Sequence, residues 1–181
     1  MRSKAKKLTL CALFSALLVV SGFLRIPLPP TAITLQLQVA LLSGLLLGGE
    51  WGCISVLTYA ALGLVGLPVF AGGGGFSYLL QPTFGYILGF AVAAFVTGKL
   101  SGASERSIKS ITISLFVGLA IAYGIGLVYA AIILTVYLGQ TIALGEFLLA
   151  YAVWTLPKDL LLTVACVPLV KRLRTAQKVS E

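Results

Sequence analysis

Histidine is absent from this 181-residue chain, and only five side chains are acidic: Glu50, Glu105, Glu146, Asp159 and Glu181. Most metal sites and all histidine-dependent acid–base chemistry need more than that, so no catalytic residue, metal or other cofactor is expected. Charge of either sign is scarce, at 10% of residues against 59% hydrophobic ones. A soluble domain of this length covers itself with polar and charged side chains, and this chain has too few to do so. Cysteine is sparse as well. Cys11, Cys53 and Cys166 stand alone in apolar stretches without C-x-x-C spacing, which argues against a disulfide framework and leaves them as small packing residues. No G-x-x-x-x-G-K-[ST] phosphate loop occurs, so energy for any uphill process must come from another protein.

Apolar sequence is what the chain has in excess, with a mean hydropathy of +1.07. A membrane-spanning helix needs about 20 apolar residues, and windows of that character predict six spans, at roughly 8–24, 35–47, 51–64, 83–97, 111–138 and 157–170. The second and third are short and meet at Gly48-Gly49-Glu50, which suits a helical hairpin. A further apolar piece, 145–153, reads as a short interfacial helix. Residues 25–34 hold three prolines and residues 66–82 hold four consecutive glycines, so neither segment is helical throughout. The reading is one all-α integral membrane domain over residues 1–181, with six spans and Pro/Gly-rich loops. The basic residues ahead of the first apolar run resemble a secretory signal, but no A-x-A cleavage pattern follows, and the run is read as a retained first helix.

A net charge of +8 suggests a nucleic-acid partner only when it forms a stripe on a soluble surface. Here the cations cluster at segment ends. Arg2, Lys4, Lys6, Lys7, Lys99, Arg106, Lys109, Lys171, Arg172, Arg174 and Lys178 all fall on one side of the six-span arrangement, and Arg25 falls on the other. Lysine and arginine are retained on the cytoplasmic side. Both termini are therefore expected in the cytoplasm, the partner surface is lipid, and nucleic acid is excluded. The Pro-rich loop, the Gly-rich loop and the stretch before Pro157 then emerge together on the outer face. Irregular backbone at membrane depth is tolerated where it lines a cavity, which points to a substrate pocket there.

Asp159 is the sharpest single residue, because a carboxylate beside a long apolar run is costly and usually functional. Pro157 suits the first helical position, which puts Lys158 and Asp159 in a first turn with free backbone N–H groups. Asp159 is expected to accept hydrogen bonds from substrate N–H groups, with Lys158 or the helix start attracting a substrate carboxylate. Thr34, Gln36 and Gln38 are neutral polar groups of the kind that orient a ligand in an apolar pocket. Gln36 and Gln38 are two residues apart and do not share a helix face, so one faces the pocket and the other a neighbouring helix. Phe70, Phe76, Tyr78 and Tyr86 offer flat surface to a ring. Ala12 and Ala16 form a small-xxx-small pair that allows close helix approach.

The stretches IPLPPTAITLQLQVALLSGLLLGG (26–49), GLPVFAGGGG (66–75), PTFGYILGF (82–90) and LPKDLL (156–161), taken in order, resemble the BioY family, the biotin-specific substrate-binding (S) components of energy-coupling factor (ECF) transporters. That resemblance implies a six-helix fold in the cell membrane of a prokaryote. It also implies high-affinity biotin binding from outside, and association with a transmembrane coupling protein and two cytoplasmic ATPase subunits. The Ala12/Ala16 pair resembles the motif by which such subunits dock on the coupling protein. Biotin presents a ureido ring with two N–H donors, an apolar thioether ring and a carboxylate tail. Asp159 suits the donors, and the backbone of Gly72, Gly73 and Gly74 can approach the ligand closely and close over it as a lid. Ile87 stands where the family can carry an arginine, Gly74 where it can carry an asparagine and Leu162 where it can carry a lysine, which leaves Lys158 as the candidate partner for the carboxylate. Other readings are another vitamin as ligand, a membrane-embedded enzyme acting on lipid, and a scaffold subunit without a ligand.

Overall fold

The computed structural model describes residues 4–28, 31–102, 107–141 and 143–179. Arg2, Pro29, Pro30, Glu105, Arg106 and Glu181, all invoked above, lie outside them. The elements run α1 (Lys4–Phe23), β1 (Ile26–Leu28), β2 (Thr31–Ile33), α2 (Gln36–Leu47), α3 (Gly49–Leu64), α4 (Phe84–Ser101), α5 (Ile108–Ile132), α6 (Leu144–Leu148) and α7 (Leu156–Val179). A 3₁₀ turn, Phe76–Leu80, precedes α4, and wide π-type turns extend α5 (Ile133–Tyr137) and α6 (Leu149–Val153). The expected helices are all present. The 25–34 segment takes a form that sequence reasoning did not specify, an antiparallel hairpin pairing Ile26 with Ile33 and Leu28 with Thr31.

Length separates these helices into two classes. Four stretches, Lys4–Phe23, Phe84–Ser101, Ile108–Tyr137 and Leu144–Thr175, are long and apolar enough to cross a membrane. With 12 and 16 residues, α2 and α3 reach only about 18 and 24 Å at 1.5 Å per residue, short of a ~30 Å hydrocarbon core. The cause is local. Gly48, at φ +91°, stops α2 and starts α3, and irregular segments close their other ends. The expectation of six full spans is thus narrowed to four long helices and a short pair.

Small residues let these helices approach closely. Gly85, Gly89, Ala93, Thr97 and Ser101 recur every fourth residue along α4, and Ser114, Gly118, Ala122, Gly126 and Ala130 do the same along α5, all of them buried. A Cβ added at Gly89 would stand 2.7 Å from Ala122 O, and one at Gly126 would stand 2.5 Å from the Tyr86 ring. Lipid tails are as apolar as leucine, so van der Waals packing of this kind holds helices together in a bilayer. A second seam joins α2, α3 and α4, where an added Cβ at Gly52 would sit 2.5 Å from Gly44 Cα and one at Gly98 would sit 2.6 Å from Gly49 Cα.

The two ends of the bundle differ. At the Gly48 end, Lys99 pairs with Glu50 at 2.7 Å, and the Arg174 guanidinium donates to the Leu45 carbonyl from two nitrogens (2.7 and 3.2 Å). The second contact satisfies a carbonyl in the last turn of α2 that its own helix leaves unpaired. The β-hairpin, the Gly-rich loop and the α6–α7 connection gather at the opposite end, where they enclose a cavity. Cys11, Cys53 and Cys166 are free thiols, the first and third of them buried.

Candidate ligand-binding site

The hairpin, the Gly-rich loop and the α6–α7 connection all contribute to a cavity of about 350 Å³, within the range of small-molecule sites. One wall comes from the hairpin and the start of α2, including Arg25, Thr31, Thr34 and Gln36; another from the Gly-rich loop, with Ala71, Gly72 and Tyr78. The first turns of α4 supply Thr83, Tyr86, Ile87 and Phe90, and the floor is Tyr123 of α5 with Thr155, Lys158 and Asp159 beside the start of α7. Aromatic and apolar walls with a few convergent polar groups are the composition of a site for a ring-bearing ligand.

Asp159 is 4% exposed and is held by three donors. Gln38 Nε2 donates to Oδ1 at 2.7 Å, the Tyr123 hydroxyl to Oδ2 at 2.6 Å, and Lys158 Nζ pairs with Oδ1 at 2.5 Å. Tyr123 also stands 2.8 Å from Thr155 Oγ1. A carboxylate offers about four acceptor positions, so an approaching N–H finds one still open. Lys158 is doubly engaged, since Nζ also donates to Thr34 O at 2.6 Å and ties the start of α2 to α7. Such an ion pair is tolerable at this burial because each member has further hydrogen-bond partners.

Gln36 and Gln38 divide as their spacing requires. Gln36 lines the cavity, with its amide donating to the Tyr59 hydroxyl (2.5 Å) and Leu18 O (3.3 Å), whereas Gln38 faces α7 and reaches Asp159. Tyr86 lines the cavity, donates to Tyr151 O at 2.6 Å and meets the Tyr123 ring edge-on at 5.7 Å. Thr34, Gly72, Lys158 and Asp159 also line the cavity.

Phe70, Gly73 and Gly74 do not. Phe70 is 3% exposed, packed against Tyr59, Tyr78 and Phe84 at 4.5–6.2 Å between ring centroids, and its ring fills the space a Cβ on Gly63 would need. It anchors the Gly-rich loop from below and offers no face to the cavity. Gly73 closes the turn by exchanging two backbone hydrogen bonds with Phe70 (2.8 and 3.1 Å) at φ +119°, a conformation that disfavours any side chain. Gly74 is pressed against the backbone at Leu67 O. Phe76 is 75% exposed and away from the cavity, and Ala12 and Ala16 lie exposed on α1, to one side of the face that packs on α3 through Ser15 and Ser55.

Sequence reasoning missed Tyr123, Tyr151, Thr155 and Arg25. Tyr123 sits within an uninterrupted apolar helix, and the only hint was its place beside Ala122 in the every-fourth-residue row of small side chains. Arg25 lines the cavity as well, and the sequence marks it only as the one cation on its side of the six-span arrangement.

The fold and cavity define a multi-pass helical membrane protein built to hold a small ligand at one end of its bundle. The BioY family model matches residues 1–179, and the chain belongs to that family. It is 41% identical over 167 residues to a probable biotin transporter BioY of Lysinibacillus sphaericus, covering 92% of this chain and 85% of that one. It is 33% identical to the biotin transporter BioY of Lactococcus lactis, covering 94% and 92%. Among solved structures it resembles the S-component for biotin from an ECF-type ABC transporter, with a TM-score of 0.81 and 31% identity over 97% of this chain and 95% of that one.

Proposed function

We propose that this chain is the biotin-binding membrane subunit of an ECF-type uptake transporter and catalyses no reaction of its own. The observation that carries this reading is Asp159, a buried carboxylate at the cavity wall, pre-oriented by Lys158, Gln38 and Tyr123, in a chain of S-component fold. A ureido N–H group of biotin fills the acceptor position that Asp159 has open, Tyr86 and Tyr78 flank the bicyclic ring, and Gly72 brings backbone close to it. Thr34 and Gln36 orient the ligand from the α2 side.

Six crossings, with α2 and α3 as a short pair sheltered by the longer helices, put both termini in the cytoplasm of the cell membrane and open the cavity outward, consistent with the cations at the far end. The exposed Ala12 and Ala16 give α1 a smooth strip for a transmembrane coupling protein, whose two cytoplasmic ATPases supply the energy.

Cells that express the chain with a coupling protein and ATPases are expected to accumulate labelled biotin, and uptake should fall to background when ATP hydrolysis is blocked. Unchanged uptake relative to cells without the chain would refute the reading. Tyr123→Phe removes one donor to Asp159 and leaves the packing ring in place, so biotin binding measured by titration calorimetry should weaken roughly tenfold.

A further inference from the structure

Three charged side chains line the cavity, and they are not equivalent. Lys158 and Asp159 neutralise each other at 2.5 Å, and Lys158 commits another donor to Thr34 O at 2.6 Å. Moving Lys158 wholly onto a ligand carboxylate would strip a buried acid of its counter-ion and give up the bond to Thr34 O, which is costly at this burial. Arg25 is differently placed. It stands where α1 gives way to the hairpin, it is exposed and lines the cavity, and among the described residues it has no acidic partner. The cavity therefore carries one positive charge in excess, and that charge belongs to Arg25.

A monoanionic ligand is the complement of such a cavity. Guanidinium holds a carboxylate through two parallel N–H bonds and keeps its charge at any physiological pH. The neighbouring wall adds neutral hydrogen-bonding groups, Thr31 and Gln81, and no competing acid. The ligand's N–H groups bind at Asp159, at the start of α7, so its acid end is free to extend toward the hairpin.

We infer that Arg25 is the carboxylate subsite of this cavity and that Lys158, the partner expected from sequence, is a positioning residue for Asp159. The inference rests on biotin as the ligand. Its consequence is a selectivity for the free acid over neutral derivatives that resides in the hairpin and not in α7.

The test measures the affinities of biotin and of its uncharged primary amide for wild-type protein, Arg25→Gln and Arg25→Lys in detergent. Wild type should prefer biotin by roughly 10- to 100-fold, the range for a hydrogen-bonded charge. Arg25→Gln should bring that ratio close to one by weakening biotin alone, with amide binding unchanged as proof that the cavity is intact, and Arg25→Lys should restore part of it. A ratio that survives in Arg25→Gln, or a wild type that binds acid and amide alike, overturns the inference and leaves biotin binding standing. A wild type that binds neither compound overturns the function reading, and the inference with it.

Discussion

Replacing Asp159 with alanine is expected to weaken biotin binding by roughly 30-fold to several thousand-fold, since truncating one member of a buried, hydrogen-bonded charge pair costs roughly 2–5 kcal/mol and leaves its partners unpaired. Lys158, Gln38 and Tyr123 all aim donors at this carboxylate, and with it gone the ligand's N–H groups lose their charged acceptor while those donors are left unpaired. Asp159→Asn separates charge from volume. It preserves the shape, but its NH₂ must face a donor on one side or the other, so it too should bind poorly. Titration calorimetry on the monodisperse fraction of each variant gives the comparison. Asn binding at wild-type strength would show that the acceptor charge is dispensable.

The second large effect concerns folding. A side chain at Gly98 has no space, because an added Cβ already stands 2.5 Å from Gly44 O and 2.6 Å from Gly49 Cα, and all its close neighbours are backbone atoms that cannot rotate aside. Gly98→Leu must push α4 away from α2 and α3 together. Ordinary overpacking costs about 1–3 kcal/mol, and here three helices lose contact at once, so little or no folded protein is expected. Gly124 is the control. It lies in α5 with nothing within 4 Å of an added Cβ, so Gly124→Ala should be neutral or stabilise the helix by up to about 1 kcal/mol. Fluorescence-detected size exclusion after heating distinguishes the two, and similar melting of both variants would contradict the packing account.

The helices were legible because apolar runs, Pro clusters and glycine repeats are local signals, and the named boundaries fall within a few residues of the structure except at the end of the last span, where α7 continues past 170 to Val179 through its basic segment. The rest depended on tertiary context. Sequence marked 25–34 as non-helical but had no means to choose a hairpin over a re-entrant loop, since Pro27 excludes a helix without selecting an alternative. Asp159 stood out by its cost in an apolar setting, whereas Tyr123, which holds it, is an ordinary residue for a membrane helix. Phe70 was assigned to the ligand because aromatic rings suit ring-bearing ligands. The same ring suits a slot left by Gly63, and only the folded chain shows which use prevailed. Lys158 beside Asp159 read as two separate ligand contacts until geometry paired them.

The most direct test of the account is equilibrium binding of labelled biotin to the purified, detergent-solubilised chain without partner subunits. The prediction is saturable binding of one biotin per chain, displaced by unlabelled biotin and not by other vitamins. Folded, monodisperse protein that shows no saturable biotin binding would contradict it.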